Sequence, residues 1–162
     1  MPRIKAIFDA DILIHLAQTN CLDIAVETLG CLYVSEYVYQ TEIKKGTDES
    51  RKLEKLKNLG TLKILEFRTL TAAQKIVYRD TYKLLKKEDI SDTAEENPID
   101  EGERVTASFS KAVNIYYYMS DDNRASSYIK SLTSVEIINF CDILYLHIST
   151  FGNSKLPELR SI

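Results

Sequence analysis

Residues 7–13, Ile7-Phe8-Asp9-Ala10-Asp11-Ile12-Leu13, carry an apolar run directly into two carboxylates one residue apart. Residues 4–8 read as a strand and residues 12–18 as the helix that follows the acidic turn. An Asp closing a strand that packs on both faces is costly to desolvate unless hydrogen bonds or a cation compensate its charge. In open α/β sheets the carboxyl edge is also where ligands bind. The arrangement recurs where Ile115, Tyr116, Tyr117, Tyr118 and Met119 run into Ser120, Asp121 and Asp122. Paired carboxylates at two strand ends point to a metal; the competing role for each Asp is to cap the next helix.

Working outward, strands are expected over residues 4–8, 32–34, 61–67, 115–119 and 136–140. Helices are expected over 12–18, 21–29, 36–43, 48–58, 71–87, from Asp100 onward, over 123–132 and over 142–149. In the second helix Leu22, Ala25, Val26 and Leu29 fall at helical spacing, with Gly30 just beyond. Ala73, Val77, Thr81 and Leu84 line one face of the fifth helix, and Val105, Phe109, Ala112 and Val113 that of the sixth. Residues 88–98 are polar, acidic and end in Pro98, a loop and the best candidate for mobility. Strands alternating with helices give the α/β class, with a mostly parallel central sheet covered on both faces. A single domain over residues 1–150 and a C-terminal tail over 151–162 are expected.

The composition, 162 residues with 44% hydrophobic and 28% charged content, is that of a soluble globular domain. With 21 Lys and Arg against 24 Asp and Glu, the net charge of -3 is not that of a protein gripping nucleic acid over its whole surface. Acids gathered at one centre would leave locally basic surface elsewhere, around Lys44, Lys45, Arg51, Lys52, Lys55 and Lys57, although solvation of a helix face also explains those side chains. Cys21, Cys31 and Cys141 lack disulfide or zinc spacing and read as reduced, mostly buried thiols. The amino-terminal apolar stretch is broken by Asp9 and Asp11, too early for a signal-peptide core. No segment approaches the ~20 apolar residues that cross a bilayer, so the expected location is the cytoplasm.

Taken in order, the acids at strand ends and helix starts are Asp9 and Asp11, Glu42, Asp100 and Glu103, then Asp121 and Asp122. This order resembles the PIN-domain nucleases, in which an Asp follows the first strand, a Glu lies in the helix after the second, an acid opens the central helix and one or two Asp follow the fourth strand. Asp9, Glu42, Glu103 and Asp121 occupy those places, with Asp122 alongside. Supporting segments are Asp9 into the helix before Leu22 and Asp23, the Val38, Tyr39, Glu42 pattern, the Asp100-x-Gly102-Glu103 signature and the Asp121-Asp122-x-Arg124 turn. The resemblance runs from Ile4 to about Leu146. Asp11 departs from it, since a small hydroxyl or amide residue is usual there, and the stretch between Phe67 and Asp100 is longer and more acidic than a minimal member needs.

The resemblance implies a three-layer α/β/α fold and hydrolysis of RNA phosphodiester bonds dependent on Mg2+ or Mn2+. It makes Asp9 and Asp121 the primary ligands, with Glu103 completing the first site and Glu42 holding a second ion or the attacking water. Asp122, Asp11 and Asp100 are further candidates. Hard cations prefer oxygen donors, and carboxylates from separate strands leave positions open for water and phosphate. Without a cation the same acids raise one another's pKa. The resemblance also implies a homodimer and the toxin of a toxin–antitoxin pair, neutralised by an antitoxin protein.

Two alternatives stand beside it. Phe8-Asp9-Ala10-Asp11 also resembles the first motif of haloacid-dehalogenase-like phosphatases, with Asp9 as nucleophile, Asp11 as acid, and Ser35, Lys111 and the Asp121, Asp122 pair in the later motifs. That assignment has Ile12 and Leu13 where small residues are usual and leaves Glu42 and Glu103 without a role. The other alternative is a PIN-fold binding module without turnover. His15 and His147 are expected in packing, Asp142 in helix capping, and most of the ten Tyr residues in core or interface rather than against bases. Thr106, on an exposed helix face, Ser120 and Arg124 are candidate phosphate contacts.

Overall fold

The computed structural model describes residues 4–86 and 99–152; the expected loop at 88–98 and nearly all of the tail fall outside them. Five strands, β1 (Ala6–Phe8), β2 (Leu32–Ser35), β3 (Leu62–Leu65), β4 (Tyr117–Met119) and β5 (Glu136–Ile138), form one sheet in the order β3-β2-β1-β4-β5. Every pairing is parallel, with Phe8 opposite both Val34 and Met119. The chain leaves β1 toward one edge through β2 and β3, then crosses back to build β4 and β5 on the other side. Its switch point therefore lies between β1 and β4, the crevice where open parallel sheets bind ligands.

Strand alternation divides the core. Ala6, Phe8, Leu32, Val34 and Met119 face a layer made by α1 (Ala10–Gln18), α2 (Leu22–Leu29), α3 (Asp48–Asn58) and α7 (Phe140–Phe151). Ile7 and Tyr118 face the opposite layer of α4 (Ala72–Lys86), α5 (Glu101–Ala112) and α6 (Asn123–Thr133). The molecule is thus a three-layer α/β/α sandwich. Fully burying each Ile, Leu or Phe contributes roughly 1.5–3 kcal/mol, so the two apolar layers hold the sheet edge in place. Among the described residues no helix is long and apolar enough to cross a membrane.

Several expectations change. The sheet is wholly rather than mostly parallel, and β1 begins at Ala6 because Ile4 precedes the pairing with β2. The helix expected over 36–43 is a wide π-turn at Val38–Glu42, closed by Ile43 N–H donating to the Val38 carbonyl, after a single helical step at Glu36 and Tyr37. In α4 the buried residues are Thr81 and Leu85, while Val77 and Leu84 stay exposed, so the inward stripe is rotated by one residue near its end. β5 stops at Ile138, because Asn139 caps α7 and Asp142 completes a capping box with it. α7 runs to Phe151, one residue into the expected tail. All three cysteines are free, but only Cys21 is buried; Cys31 is half-buried and Cys141 exposed on α7.

Candidate functional site

Asp9 follows β1 directly and is the N-cap of α1, with its Oδ1 accepting from Ile12 N–H at 3.1 Å. Its own N–H donates to Met119 O of β4, which fixes it at the switch point. Asp100 caps α5: Glu103 N–H donates to Asp100 Oδ1 at 2.8 Å, and Asp100 N–H donates to Glu103 Oε2 at 3.0 Å. Asp122 caps α6 by accepting from Arg124 and Ala125 N–H. The capping role is therefore real for Asp9, Asp100 and Asp122. Each cap bond uses one oxygen of its carboxylate, and of the three only Asp9 and Asp100 also line a common cavity.

Glu42, at the end of the π-turn, has no hydrogen bond or ion pair among the described residues. Single π-turns often mark functional positions, because the wider turn re-aims a side chain. Here it carries the Glu42 carboxylate against the first turn of α5. A β-carbon on Gly102 would lie 2.6 Å from Glu42 Cδ, so the absence of a side chain at 102 makes the approach possible.

Asp9, Ala10, Asp11, Glu42, Asp100 and Glu103 line one open cavity of about 360 Å³. Asp9, Glu42 and Glu103 are half-buried, while Asp11 and Asp100 are exposed at its rim. Asp121, exposed, instead lines a cleft of about 800 Å³ beside it, together with His15, Asn123, Ser126, Lys130 and Asn139. It still faces Asp9 closely enough to raise that group's pKa. Of the four acids assigned from the sequence, three share one cavity and the fourth borders it.

Burial pushes Asp9 up to about 7, against the lowering effect of hydrogen bonds from Ile12 and Ser120 and with the charges of Asp11 and Asp121 adding to the rise. Glu42 rises to about 7 through burial, then through the charges of Asp100 and Asp11. Glu103 also reaches about 7; burial is again the largest cause, and Asp122 and Asp9 are among its charged neighbours. Each acid thus feels the next, around a continuous ring. Near it the Tyr118 hydroxyl is fully buried and, among the described residues, has no hydrogen-bond partner. Burial holds the Tyr118 proton well above the usual phenol range, and the charges of Asp9, Glu103, Asp100 and Glu42 add to that in turn.

Among the described residues no three His, Cys, Asp or Glu side chains are close enough together to hold a metal ion as they stand. The available donors are nonetheless all oxygens, the donor set of a hard divalent cation. They line a polar cavity near the buried Tyr118 hydroxyl, which has no hydrogen-bond partner among the described residues, so it is the chemistry of the donor set, not its present spacing, that suits such an ion.

Other candidates take structural places. Thr106 is buried on α5 rather than exposed, which removes it as a phosphate contact. Ser120 is buried, and its Oγ accepts from Asp122 N–H. Arg124 is exposed, as is His15. His147 is buried against Thr28, with Nδ1 at 3.0 Å from Oγ1. Lys52 is bound to Ala17 O and Asn20, and Lys57 lies over the Tyr39 ring, whereas Lys44, Lys45 and Lys55 remain exposed. Gly102 and Tyr118 gained no site role from the sequence. A Gly within the first turn of a helix, and a Tyr facing the same side of the sheet as Ile7 and Asp9, were the available signals. No family model matches the chain, and no curated protein matches it.

Proposed function

We propose that this chain is a metal-dependent endoribonuclease of PIN-like architecture, with Asp9, Glu42 and Glu103 as the principal ligands of Mg2+ or Mn2+ and with Asp121 and Asp122 at the substrate side. The observation that carries the proposal is Glu42. It is a half-buried carboxylate with no partner among the described residues, held by a π-turn and admitted by Gly102 to the cavity that Asp9 and Glu103 also face. Acids brought together from three separate elements at a sheet's switch point are costly unless a cation offsets their charge.

When bound, the ion would neutralise charge on the phosphodiester and lower the pKa of the attacking water. The chain's own residues prepare for that. Ile12 N–H and Asp100 N–H each fix one carboxylate oxygen, of Asp9 and Glu103 respectively, and so orient the other. Asp11 and Asp100 at the rim keep the mouth of the cavity acidic, which favours entry of a cation before a polyanion. The cleft beside Asp121, with Lys130, Asn123 and Asn139, offers hydrogen-bonding groups to the nucleotide flanking the cut. An antitoxin partner and a homodimer belong to the same proposal through the resemblance alone. A small DNA-binding protein encoded beside this gene is the expected companion.

The phosphatase alternative is weaker. Lys111 is eight residues along α5 from Glu103, roughly 12 Å at the helical rise, and so toward the opposite end of that helix from the cavity. Incubation with a mixed RNA pool and Mg2+ or Mn2+ tests the proposal. Cleavage that disappears with chelator and in Asp9→Asn is expected. Equal cleavage by Asp9→Asn overturns it, and hydrolysis of a small phosphate ester without RNA cleavage favours the phosphatase.

A further inference from the structure

Tyr118 occupies an unusual place for a phenol. Its register partner on β1 is Ile7, and both side chains belong to the apolar layer formed with α5 and α6. Asp9 lies two residues beyond Ile7, so strand alternation puts it on the same face, diagonally ahead of Tyr118. The ring is fully buried in the same apolar cluster as Ile7 and Val105 of α5, yet among the described residues its hydroxyl has no hydrogen-bond partner. Phe in this position would pack equally well without that cost. Buried polar atoms without partners are scarce in folded proteins, and those that persist often belong to a site whose ion or water completes them.

We propose that Tyr118 is a positioning residue for the cation pocket, its hydroxyl donating a hydrogen bond to the Asp9 carboxylate when a divalent cation draws that group inward. The inference rests on the metal-dependent reading above and deepens it. The Asp9 carboxylate is already held by Ile12 N–H on Oδ1 and by the Ser120 side chain, so a further donor from Tyr118 would fix the plane of the carboxylate and present its remaining lone pairs to the ion. Outer donors of this kind orient a ligand and raise its affinity for metal, and their loss typically weakens binding by about 10- to 100-fold. In the ion-free chain the same hydroxyl stabilises nothing. Tyr118→Phe therefore separates the two states: it removes a bond present only with metal and leaves the packing intact.

The test is a Mn2+ titration of the full chain, followed by electron paramagnetic resonance, for wild type, Tyr118→Phe, Asp9→Asn and the double variant. Melting curves in chelator and the tyrosine ultraviolet difference spectrum on Mg2+ addition accompany it. The expected result is about 10- to 100-fold weaker Mn2+ binding by Tyr118→Phe, with no further loss when it is added to Asp9→Asn. Its melting temperature in chelator is not lowered, and a red-shifted tyrosine band appears on Mg2+ binding in wild type alone. Wild-type affinity in Tyr118→Phe, or a lowered melting temperature in chelator with affinity unchanged, overturns the positioning role while leaving the cation site standing. Failure of the wild-type chain to bind Mn2+ overturns the metal-dependent reading and this inference with it.

Discussion

The Glu42 carboxylate occupies the space that a side chain on residue 102 would fill: a β-carbon built on Gly102 falls 2.6 Å from Glu42 Cδ and 2.8 Å from Oε2. The π-turn and the first turn of α5 thus approach through a glycine, and one wall of the cavity depends on it. Ala is ordinarily the better helix former by roughly 1 kcal/mol. Gly102→Ala is expected to fold, because the clashing atoms are the far end of a flexible side chain. It should gain none of that propensity and should turn Glu42 out of the cavity. Mn2+ titration and chemical unfolding check this: weaker binding with a folded chain is the expected pair, and unchanged binding with raised stability would refute it.

Asp9→Asn keeps a good N-cap for α1, since Asn and Asp rank together in that role. It removes one charge from a crowded ring. The melting temperature in chelator should hold or rise, while metal-dependent RNA cleavage falls at least about 100-fold, the scale of losing a principal electrostatic group. Parallel melting and cleavage assays separate this from unfolding, which would lower both.

Stability should depend on pH in the direction opposite to ordinary acid denaturation. Asp9, Glu42 and Glu103 keep their protons up to about pH 7 in the folded chain, whereas unfolded carboxyls release theirs near pH ~4. Between those values the folded state binds more protons, so these groups contribute stability at low pH that is lost as pH rises through about 7. In chelator the melting temperature should fall across that window. With Mg2+ the trend should weaken or reverse, because ion and proton compete for the same oxygens. Melting curves in chelator that rise steadily from pH ~5 to ~8 would contradict the raised values.

Arg104 ties the first turn of α5 to α4. It is buried on α5, with Nη1 2.8 Å from Glu101 Oε2 and its guanidinium over the Tyr82 ring, while Tyr82 Oη donates to Glu101 Oε1. Glu101→Ala should cost about 1–3 kcal/mol, less than the 3–5 typical of a wholly buried pair because Glu101 is partly exposed. Urea unfolding measures it; a change below about 0.5 kcal/mol would place this network among ordinary surface contacts.

Much of the architecture was legible because it follows from period and punctuation. Asp9 announces itself by ending an apolar strand, and the alternation of strands with helices requires a parallel sheet. What escaped depends on contacts across the chain. Nothing between Glu36 and Ile43 distinguishes a π-turn from an α-helix, since the difference is one backbone bond at Ile43. Tyr118 belongs to a run of three tyrosines that the strand distributes to different environments: Tyr116 is 62% exposed and Tyr118 0%. Thr106 looked exposed by type but is fully buried on α5. Asp121 and Glu103 were assigned together, yet α5 turns Glu103 into one cavity while the start of α6 leaves Asp121 at the neighbouring cleft.

Asp9, Asp100 and Asp122 each start a helix, and a descendant of this protein without the proposed chemistry would still need something like them to fold. Glu42 begins no helix and anchors no loop. If the proposed chemistry holds, drift would erase it first, so among diverging copies of this gene the identity of that one position should separate copies that keep the acidic cavity from retired scaffolds.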